Sequence, residues 1–498
     1  MGEYIMTIDA GTASVRAVIY NRKGECVSIA AQEFEQHYPQ NGWIEHDAND
    51  IWAAACAVIK RSLQQKGLND SEIKAIGVTN QRETVVVWDK NDGKPIYHAI
   101  VWGDRRTADY CEELRRAGHE NMIKQKTGLV LDAYFSGTKI KWILDNVDGA
   151  RSRAEKGDLL FSNIDGWIIW NLTKGSAHVT DYSNASRTLI YNISELKWDK
   201  DLLKLFTIPE SMLPQVLPSS GHFANTSSTV FSTPIPIEGC IGDQQSATFG
   251  QCCFQEGFSK FTYGTAGTMT VNTGGAPIVS KNGMLTTIGW GYGGKVQYLL
   301  EGTVYNAGST IQWLRDEMKF VEESRDSEYF ALKAKTVGQV YLIPAFSGFG
   351  APYWDSYARA AILGLSRGSE KNDVIRAALD SLAYQTRDML DAMNEDLPKP
   401  IHLLRVDGGA CKNTLMVQFI ADVTGIDVER PSDVETTAAG AAYLAGLSIG
   451  FWKDLDEITG LRKVDKVFVP EISADRRAEL YGGWKRAVNS ILSWSKNK

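Results

Sequence analysis

The sequence lacks the features that indicate an exported, membrane-bound or zinc-binding protein. Its 7 cysteines include no Cys-x-x-Cys pair, and this usage favours reduced thiols over a disulfide framework or a zinc site. No apolar run approaches the ~18–20 residues of a membrane-spanning helix. A strand pattern begins almost at the N-terminus and leaves no room for a secretory signal. These absences predict a cytoplasmic protein without a membrane span.

The sequence also has no excess of positive charge. It contains 53 Lys and Arg residues against 60 Asp and Glu residues, for a formal net charge of −7. A general nucleic-acid surface needs a basic face that neutralises phosphates, and no basic patch of that kind is visible. We therefore expect no nucleic-acid partner.

Two common nucleotide-binding motifs are missing as well. The chain has no Walker pattern, and no G-x-G-x-x-G motif follows its first predicted strand. Their absence excludes a P-loop or a Rossmann nucleotide site. Any nucleotide has to be bound by another kind of turn.

The patterns that are present alternate between helix and strand along 498 residues, which is too long for a single core. The spacing predicts a strand over 73–83, a hairpin over 177–193, and helices over 50–67, 306–318, 372–393, 435–451 and 476–495. Similar strand-turn segments open two stretches of similar length. We therefore predict a duplicated α/β architecture, with domains at 1–252 and 253–498.

Three turns of similar composition each follow a predicted strand. They are "YIMTIDAGTAS" (4–14), "SKFTYGTAGT" (259–268) and "LLRVDGGACKN" (403–413). Glycine lets the backbone N–H groups approach a ligand closely, and Thr or Ser adds a hydroxyl, so such turns can bind phosphate oxygens. One such turn alone is more often a simple turn. Together, the three predict one nucleotide held between two domains.

Two aspartates at strand ends are candidates for phosphoryl-transfer chemistry. Asp9 could hold Mg²⁺, which proteins usually bind through one or two carboxylates and water. Asp243, in "CIGDQQSATFGQ" (240–251), could accept the proton of an attacking hydroxyl. The alternative for Asp243 is a helix N-cap, and for Asp9 a turn or helix cap.

A donor, an acceptor and an indole lie close together in the sequence. Arg82 and Glu83 are adjacent in "TNQRET" (79–84), and Trp102 follows in "VWGDRRT" (101–107). Polyol hydroxyls both donate and accept hydrogen bonds, and polyol C–H groups pack on aromatic faces. These residues therefore favour a polyol site. The alternative is a solvated, salt-bridged strand end with Trp102 in the core.

Several blocks resemble one known family, in order and across almost the whole chain. They are "GWIEHD" (42–47), "NQRET", "VWGDRRT", "TGLVLDAYFSGTKIKWILDN" (127–146), "HVTDYSNASRTLIYNI" (178–193), "GDQQSATFGQ" (242–251), "AGSTIQWLRD" (307–316), "PAFSGFGAPYWD" (344–355), "VDGGA" (406–410) and "ETTAAGAAYLAG" (435–446). The sequence resembles the FGGY carbohydrate kinases. "NQRET" and "GDQQ" are similar to the glycerol kinase branch of that family.

The resemblance implies an α/β fold of two actin-like, ribonuclease H-like domains, with ATP and substrate in the cleft between them. It implies an ATP- and Mg²⁺-dependent phosphotransferase acting on a polyol or sugar, and a homo-oligomer, either dimer or tetramer. By position, Asp243 matches the general base, and Asp9 with Asp243 matches the metal site. The residues that match the nucleotide site are Thr12, Ser14, Arg16, Gly264, Thr265, Gly308, Gln312, Ala410 and Asn413. Those that match the substrate site are Arg82, Glu83, Trp102, Tyr134, Asp243, Gln244 and Thr268.

The chain also departs from the family pattern. Ala10 and Ala13 replace an amide and a hydroxyl in the first turn, Thr268 replaces an aromatic residue, and Ser162-Asn163 replace Gly-Thr. Glycerol, converted to glycerol 3-phosphate, is the substrate that the resemblance favours. A kinase for another polyol or a ketose, such as erythritol or a pentulose, is the alternative. A non-kinase actin-like ATPase is disfavoured by the Arg82, Glu83 and Trp102 constellation.

Overall fold

A computed structural model describes residues 2–433 and 435–496. The strands of the first half are β1 (Tyr4–Ala10), β2 (Ser14–Tyr20), β3 (Cys26–Glu33), β4 (Glu45–His46), β5 (Ile73–Asn80), β6 (Val86–Asp89), β7 (Ala99–Ile100), β8 (Leu159–Ser162), β9 (Val179–Asp181), β10 (Tyr191–Asn192), β11 (Lys197–Trp198), β12 (Gln215–Leu217), β13 (Ser220–Asn225) and β14 (Pro236–Gly242). Its helices are α1 (Ala48–Lys66), α2 (Ala108–Arg116), α3 (Glu120–Thr127), α4 (Ser136–Asn146), α5 (Ala150–Glu155), α6 (Ile164–Leu172), α7 (Tyr182–Ala185), α8 (Lys200–Phe206) and α9 (Asp243–Gly250).

The second half continues the alternation. Its strands are β15 (Ser259–Tyr263), β16 (Gly267–Gly274), β17 (Leu285–Tyr292), β18 (Lys295–Val304), β19 (Tyr341–Ile343), β20 (Ala361–Leu363), β21 (Leu403–Asp407), β22 (Asp427–Pro431) and β23 (Val464–Phe468). Its helices are α10 (Gly308–Asp316), α11 (Ser327–Ala331), α12 (Lys371–Asp396), α13 (Thr414–Thr424), α14 (Thr436–Ser448), α15 (Leu455–Leu461) and α16 (Ala474–Ser495). The five predicted helices are present.

Two large sheets repeat one topology. Within the described residues, the first has the strand order β13-β14-β5-β1-β2-β3 and the second β17-β18-β16-β15-β21-β22-β23. In each sheet a central strand, β1 or β15, pairs antiparallel with the strand that follows it and parallel with a later strand. The predicted duplication of an α/β unit is therefore confirmed. The exact domain boundary at 252/253 stays a prediction.

Helix α14 of the second half packs on the first sheet through small residues. A Cβ atom at Gly77 of β5 would lie 2.4 Å from the carbonyl oxygen of Ala441, so only glycine fits there without movement. The hydroxyl of Thr7 on β1 donates to the Ala438 carbonyl at 2.9 Å. The Ala- and Gly-rich sequence of α14 therefore allows close contact between the helix and the sheet. The two halves share a core along this contact.

The prediction of a hairpin over 177–193 is wrong. In this segment β9 pairs in parallel with β12, and the short helix α7 follows at once. The Asp181 side chain accepts hydrogen bonds from the backbone N–H groups of Ser183 and Asn184, and this N-cap starts the helix where a strand was expected. The hairpin in this region is β10–β11, with Tyr191 opposite Trp198.

Two further expectations concern cysteines and membranes. All seven cysteines lie within the described residues and have free thiols, as their scattered positions predicted. Among the helices of residues 2–433 and 435–496, none is both long enough and apolar enough to cross a membrane.

Candidate active site

The first strand-turn segment joins β1 to β2 and carries the predicted residues Asp9, Thr12 and Ser14, and Arg16 follows on β2. The Gly11 N–H donates to the Ser14 carbonyl at 3.0 Å and closes the turn. Asp9 and Arg16 lie opposite each other on the two strands, with Arg16 Nε 4.0 Å from Asp9 Oδ2. Arg16 also pairs with Glu435 of the second half. The turn is therefore tied to both halves of the molecule beside the cleft.

Six of the predicted nucleotide residues line one cavity of about 500 Å³ in the second half: Gly264, Thr265, Gly308, Gln312, Ala410 and Asn413. The cavity also contains residues that the sequence analysis did not single out. Ile311, Leu379 and Met416 add apolar surface, Arg325 and Lys412 add positive charge, and Glu328 adds negative charge. The apolar surface suits a planar base.

Close backbone contacts bring the turns around this cavity together. The Gly308 N–H, at the start of α10, donates to the Gly264 carbonyl at 2.9 Å. A Cβ at Gly308 would lie 2.7 Å from that same oxygen, so glycine permits the approach. On the other side, the Asn413 side chain caps α13 by accepting from the Met416 N–H at 2.9 Å. The second and third turns thus meet at one cavity, whereas Thr12, Ser14 and Arg16 do not line it, and a single nucleotide held by all three turns stays a prediction.

Asp243 is the first residue of α9, and Gly242 occupies the N-cap position. The side chain keeps 30% exposure, and its Oδ1 lies 3.2 Å from Arg82 Nε. Loss of solvent raises the pKa of Asp243, and the positive charge of Arg82 partly offsets that rise. Burial likewise raises the pKa of Asp9 to about 6, and the charge of Asp243 contributes to the shift. The two carboxylates therefore interact, and each would be stabilised by a nearby cation.

Arg82 and Glu83 belong to a buried ion cluster. Arg82 is 3% exposed and Glu83 is 1% exposed, so the alternative of a solvated salt bridge is wrong. Both carboxylate oxygens of Glu301 accept from Arg82, at 2.6 and 2.9 Å. Arg187 donates to Glu83 Oε1 at 2.6 Å and to Glu301 Oε1 at 3.0 Å. Two arginines and two carboxylates from both halves are thus held in fixed orientations.

Supporting contacts hold Glu83 in a strained backbone conformation. Its φ of +62° lies in the left-handed region, which is unusual for a residue with a side chain. Ser136 Oγ donates to the Glu83 carbonyl, and Asn163 Nδ2 donates to the Thr84 carbonyl and to Ser136 Oγ. Asn163, one of the two residues that depart from the family pattern here, therefore lies behind Glu83 and Thr84 and supports their backbone.

Two aromatic residues form a corner beside the cluster. The rings of Trp102 and Tyr134 are nearly perpendicular, with centroids 5.7 Å apart. Trp102 is half-buried, and its indole N–H donates to Thr12 Oγ1 at 3.0 Å. The guanidinium of Arg187 lies 5.7 Å from the Tyr134 ring. The aromatic residues are thus adjacent both to the ion cluster and to the first turn.

Gln244, on α9, and Thr268, on β16, are the two remaining predicted substrate residues. Gln244 Oε1 accepts from the buried Lys260 at 2.7 Å, and burial lowers the pKa of that lysine. Thr268 lies on β16 opposite Thr262 and Thr303, and its hydroxyl is 3.4 Å from Thr303 Oγ1. Short threonines therefore occupy this face of the second sheet.

Sequence reasoning missed Glu301, Arg187 and Lys260, although each contacts a predicted residue. Glu301 interrupts the buried strand "YLLEGTV" (298–304). A single carboxylate inside an apolar strand needs a charged partner, and this signal could have identified it.

One buried group within the described residues has the composition of a metal site but differs from the predicted pair. Its members, Asp165, Asp181 and Cys240, place ligand atoms within 4.8 Å of one another. Asp181 is already saturated by hydrogen bonds from Ser183, Asn184 and Ser219. Asp165 accepts from the Thr180 hydroxyl and from the Cys240 thiol, so these side chains connect α6, β9 and β14.

Comparison with known proteins identifies the family. The N-terminal domain model of the FGGY family of carbohydrate kinases matches residues 4–250, and the C-terminal domain model matches residues 259–449. The chain belongs to the FGGY family of carbohydrate kinases. The predicted resemblance and the predicted fold class are thereby confirmed.

Individual relatives cover essentially the whole of this FGGY kinase. Glycerol kinase from Halothermothrix orenii is 56% identical over 495 residues, which is 99% of each chain. Glycerol kinase from Thermoanaerobacter pseudethanolicus is 55% identical, over 99% of this chain and 100% of that protein. The structure of Plasmodium falciparum glycerol kinase with ADP superposes with a TM-score of 0.93 at 36% identity, covering 99% and 98% of the two chains. Xylulose kinase from Lactobacillus acidophilus, at 22% identity and a TM-score of 0.89, shares the fold.

As an FGGY kinase, the chain is a phosphotransferase that acts on an alcohol group. This assignment decides against the alternative of a non-kinase actin-like ATPase.

Proposed function

We propose that this kinase transfers the γ-phosphoryl group of ATP to a terminal hydroxyl of glycerol and produces glycerol 3-phosphate. The observation that carries the proposal is the connection of the polyol residues to the nucleotide side. Trp102 is hydrogen-bonded to Thr12 of the first turn, and Arg82 contacts Asp243. The glycerol kinases of 55–56% identity over the whole chain support glycerol as the substrate.

Each polyol residue has a role that its chemistry supports. Arg82 donates to substrate hydroxyls and Glu83 accepts from them, while Trp102 and Tyr134 cover the carbon atoms. Asp243 accepts the proton of the attacking hydroxyl, because its carboxylate faces the cleft and is only partly buried. The buried ion cluster orients Arg82 and Glu83 before the substrate binds. This reduces the free-energy cost of ordering these two side chains on binding.

The nucleotide residues hold the phosphoryl donor on the opposite side. Thr12, Ser14 and Thr265 provide hydroxyls, and the neighbouring turns provide backbone N–H groups. Arg16 adds a positive charge beside the first turn. The cavity lined by Gln312 and the other residues named above accommodates the adenosine.

The donor set at the cleft fits a magnesium ion. Asp9 and Asp243 supply carboxylate oxygens, which Mg²⁺ prefers. The charge of Asp243 contributes to the raised pKa of Asp9, so a cation near both would stabilise their charged forms. These two residues would hold the ion, largely through water. When bound, Mg²⁺ neutralises charge on the β- and γ-phosphates.

The test is a kinase assay over glycerol, erythritol and pentuloses, with product identification, combined with the variant Asp243→Asn. The amide keeps the shape but cannot accept the proton, so kcat should fall by roughly 10²–10⁴-fold while ATP still binds. The exposed Asp427→Asn serves as the matched control and should retain full activity. An Asp243→Asn variant with near wild-type kcat would refute the role of Asp243.

Assembly and location complete the proposal. We expect a dimer or tetramer, which sedimentation of the purified chain would measure, and a cytoplasmic location.

A further inference from the structure

A buried carboxylate of the second sheet lies between two arginines of the first half. Glu301 is completely buried on β18, where Thr270 of β16 is its neighbour across the strands. It accepts from Arg82 at 2.6 and 2.9 Å and from Arg187 at 3.0 Å. The side chains of Arg82 and Arg187 are at most 2% exposed. These charged groups are shielded from bulk water, so their interaction depends on the geometry of the cluster.

Glu301 determines where the guanidinium of Arg82 points. Arg82 Nη1 donates to Glu301 and to Gln245 Oε1, Nη2 donates to Glu301, and Nε faces Asp243 at 3.2 Å. Without Glu301, the nearest carboxylates of Arg82 would be Asp243 and Glu83, which lies 3.9 Å from Nε. Both are assigned to the polyol site, so the arginine would then pair with groups that the substrate needs.

Arg187 extends the same arrangement to Glu83. It donates to Glu83 through Nε and to Glu301 through Nη2. Glu301 therefore also holds Arg187, the arginine that binds Glu83, the proposed acceptor of substrate hydroxyls. The two arginines hold the pKa of Glu301 down at about 2, and the carboxylate stays charged at every working pH.

We propose that Glu301 is a positioning residue for the polyol. It fixes Arg82 directly and Glu83 through Arg187, and it makes their orientation depend on the position of the second sheet. This inference rests on the proposed function of the same site.

A purely structural ion pair predicts a different result. Loss of a contact that only holds the two halves together would weaken the use of ATP and polyol alike, because each ligand depends on the closed cleft. Loss of a positioning residue would weaken polyol use selectively, since the nucleotide cavity does not contact Glu301.

The experiment compares Glu301→Gln with wild-type protein after the wild type has been assayed over the polyol panel. The amide keeps the volume but has no charge and directs an NH₂ group at an arginine. We expect KM for the polyol to rise about tenfold or more, as for the loss of a supporting hydrogen-bond partner at metal sites. KM for ATP and the dissociation constant of ADP should stay within about twofold, on the same reasoning.

Two further variants keep the test decisive. Glu301→Asp retains the charge, so its KM for the polyol should lie between those of wild type and Glu301→Gln. If Glu301→Gln does not fold, Glu301→Asp still tests the role, because its KM for the polyol should exceed that of wild type. Glu238→Gln is the matched control, because Glu238 is a buried carboxylate that links β14 to Ser448 of α14 without contacting the polyol residues. It should leave KM for the polyol unchanged.

The outcomes separate the two proposals. An active wild type whose polyol KM does not change in Glu301→Gln and Glu301→Asp overturns the positioning role alone. Equal losses for ATP and polyol also overturn it. A wild type that phosphorylates no polyol overturns the proposed function and this inference with it.

Discussion

The indole nitrogen of Trp102 donates a hydrogen bond to the hydroxyl oxygen of Thr12 at 3.0 Å. One residue belongs to the proposed polyol wall and the other to the first phosphate turn. The contact lies beside the proposed path of the phosphoryl group. It therefore links the position of the aromatic wall to the position of the nucleotide turn.

This link predicts energetic coupling between the two residues. Trp102→Phe keeps an aromatic ring but removes the donor, and Thr12→Val keeps the volume but removes the acceptor. A double-mutant cycle on kcat/KM for glycerol should give a coupling free energy of about 0.5–1.5 kcal/mol, the usual net value of one hydrogen bond. Strictly additive losses would show that the contact has no part in turnover.

The close contact between α14 and the first sheet predicts a site that is sensitive to one added methyl group. Gly77→Ala would place its Cβ 2.4 Å from the Ala441 carbonyl oxygen, which is backbone and cannot rotate away. We expect a loss of roughly 1–3 kcal/mol in the free energy of unfolding, the usual cost of overpacking. Thermal unfolding of the purified variant measures it.

A second glycine provides the control. A Cβ at Gly460, on α15, would meet nothing within 4 Å. Gly460→Ala should therefore be neutral or slightly stabilising, because alanine has the higher helix propensity. Equal melting temperatures for both variants would contradict the packing argument.

Much of the fold, and the turns that line the cavity proposed for the nucleotide, were predictable from sequence, because both depend on local patterns. The strand-turn segments at 4–14 and 259–268 identify the two central strands, β1 and β15, and helix spacing identifies α12 and α14. The Gly- and Thr-rich turns then lead to the cavity that contains Thr265 and Asn413. Such signals lie within about ten residues of each other in the chain.

The ion cluster was not predictable in the same way. Arg82 and Glu301 are 219 residues apart, and their contact follows from the packing of two separate sheets. The local pattern shows only a charged pair after a strand, for which solvent exposure is the usual outcome. The hairpin predicted over 177–193 failed for a local reason. The segment is extended at β9, but the cap formed by Asp181 starts a helix there.

A histidine in an aromatic setting predicts acid sensitivity. The ring of His178 packs against Trp88 and Trp170 and is hydrogen-bonded to the Phe161 carbonyl at 2.8 Å. Burial lowers the pKa of His178 to about 4, so the unfolded chain, with a pKa near 6.5, takes up the proton first. The free energy of unfolding should therefore fall as pH decreases through 6.5 towards 4.

The variant His178→Gln isolates this contribution. The stability difference between wild type and variant should shrink by up to about 2 kcal/mol between pH 7 and pH 5, as urea unfolding at each pH would show. The exposed His402→Gln is the control for loss of an imidazole and should leave the free energy of unfolding at pH 7 close to that of wild type. If the stability difference for His178→Gln does not change with pH, protonation of His178 does not affect the free energy of unfolding.

The replacement of an aromatic residue by Thr268 predicts weak discrimination by size. Thr268 is 7% exposed, and its cross-strand neighbours Thr262 and Thr303 are equally short, so none of these three residues supplies a ring. A small change in a pocket of this kind is worth only ~1–3 kcal/mol. Glycerol should therefore be accepted, with erythritol and xylulose only modestly disfavoured.

The variant Thr268→Phe tests this prediction by restoring an aromatic ring. The ratio of kcat/KM for glycerol to that for erythritol or xylulose should rise, because the ring covers the carbon edge of a three-carbon substrate and occupies space that longer chains need. Thr268→Val is the control: it removes the hydroxyl at nearly constant volume, so the ratios should stay close to wild type. If the ratios do not change in Thr268→Phe, residue 268 does not line the polyol pocket. If they change equally in Thr268→Val, the hydroxyl and not the volume determines the substrate range.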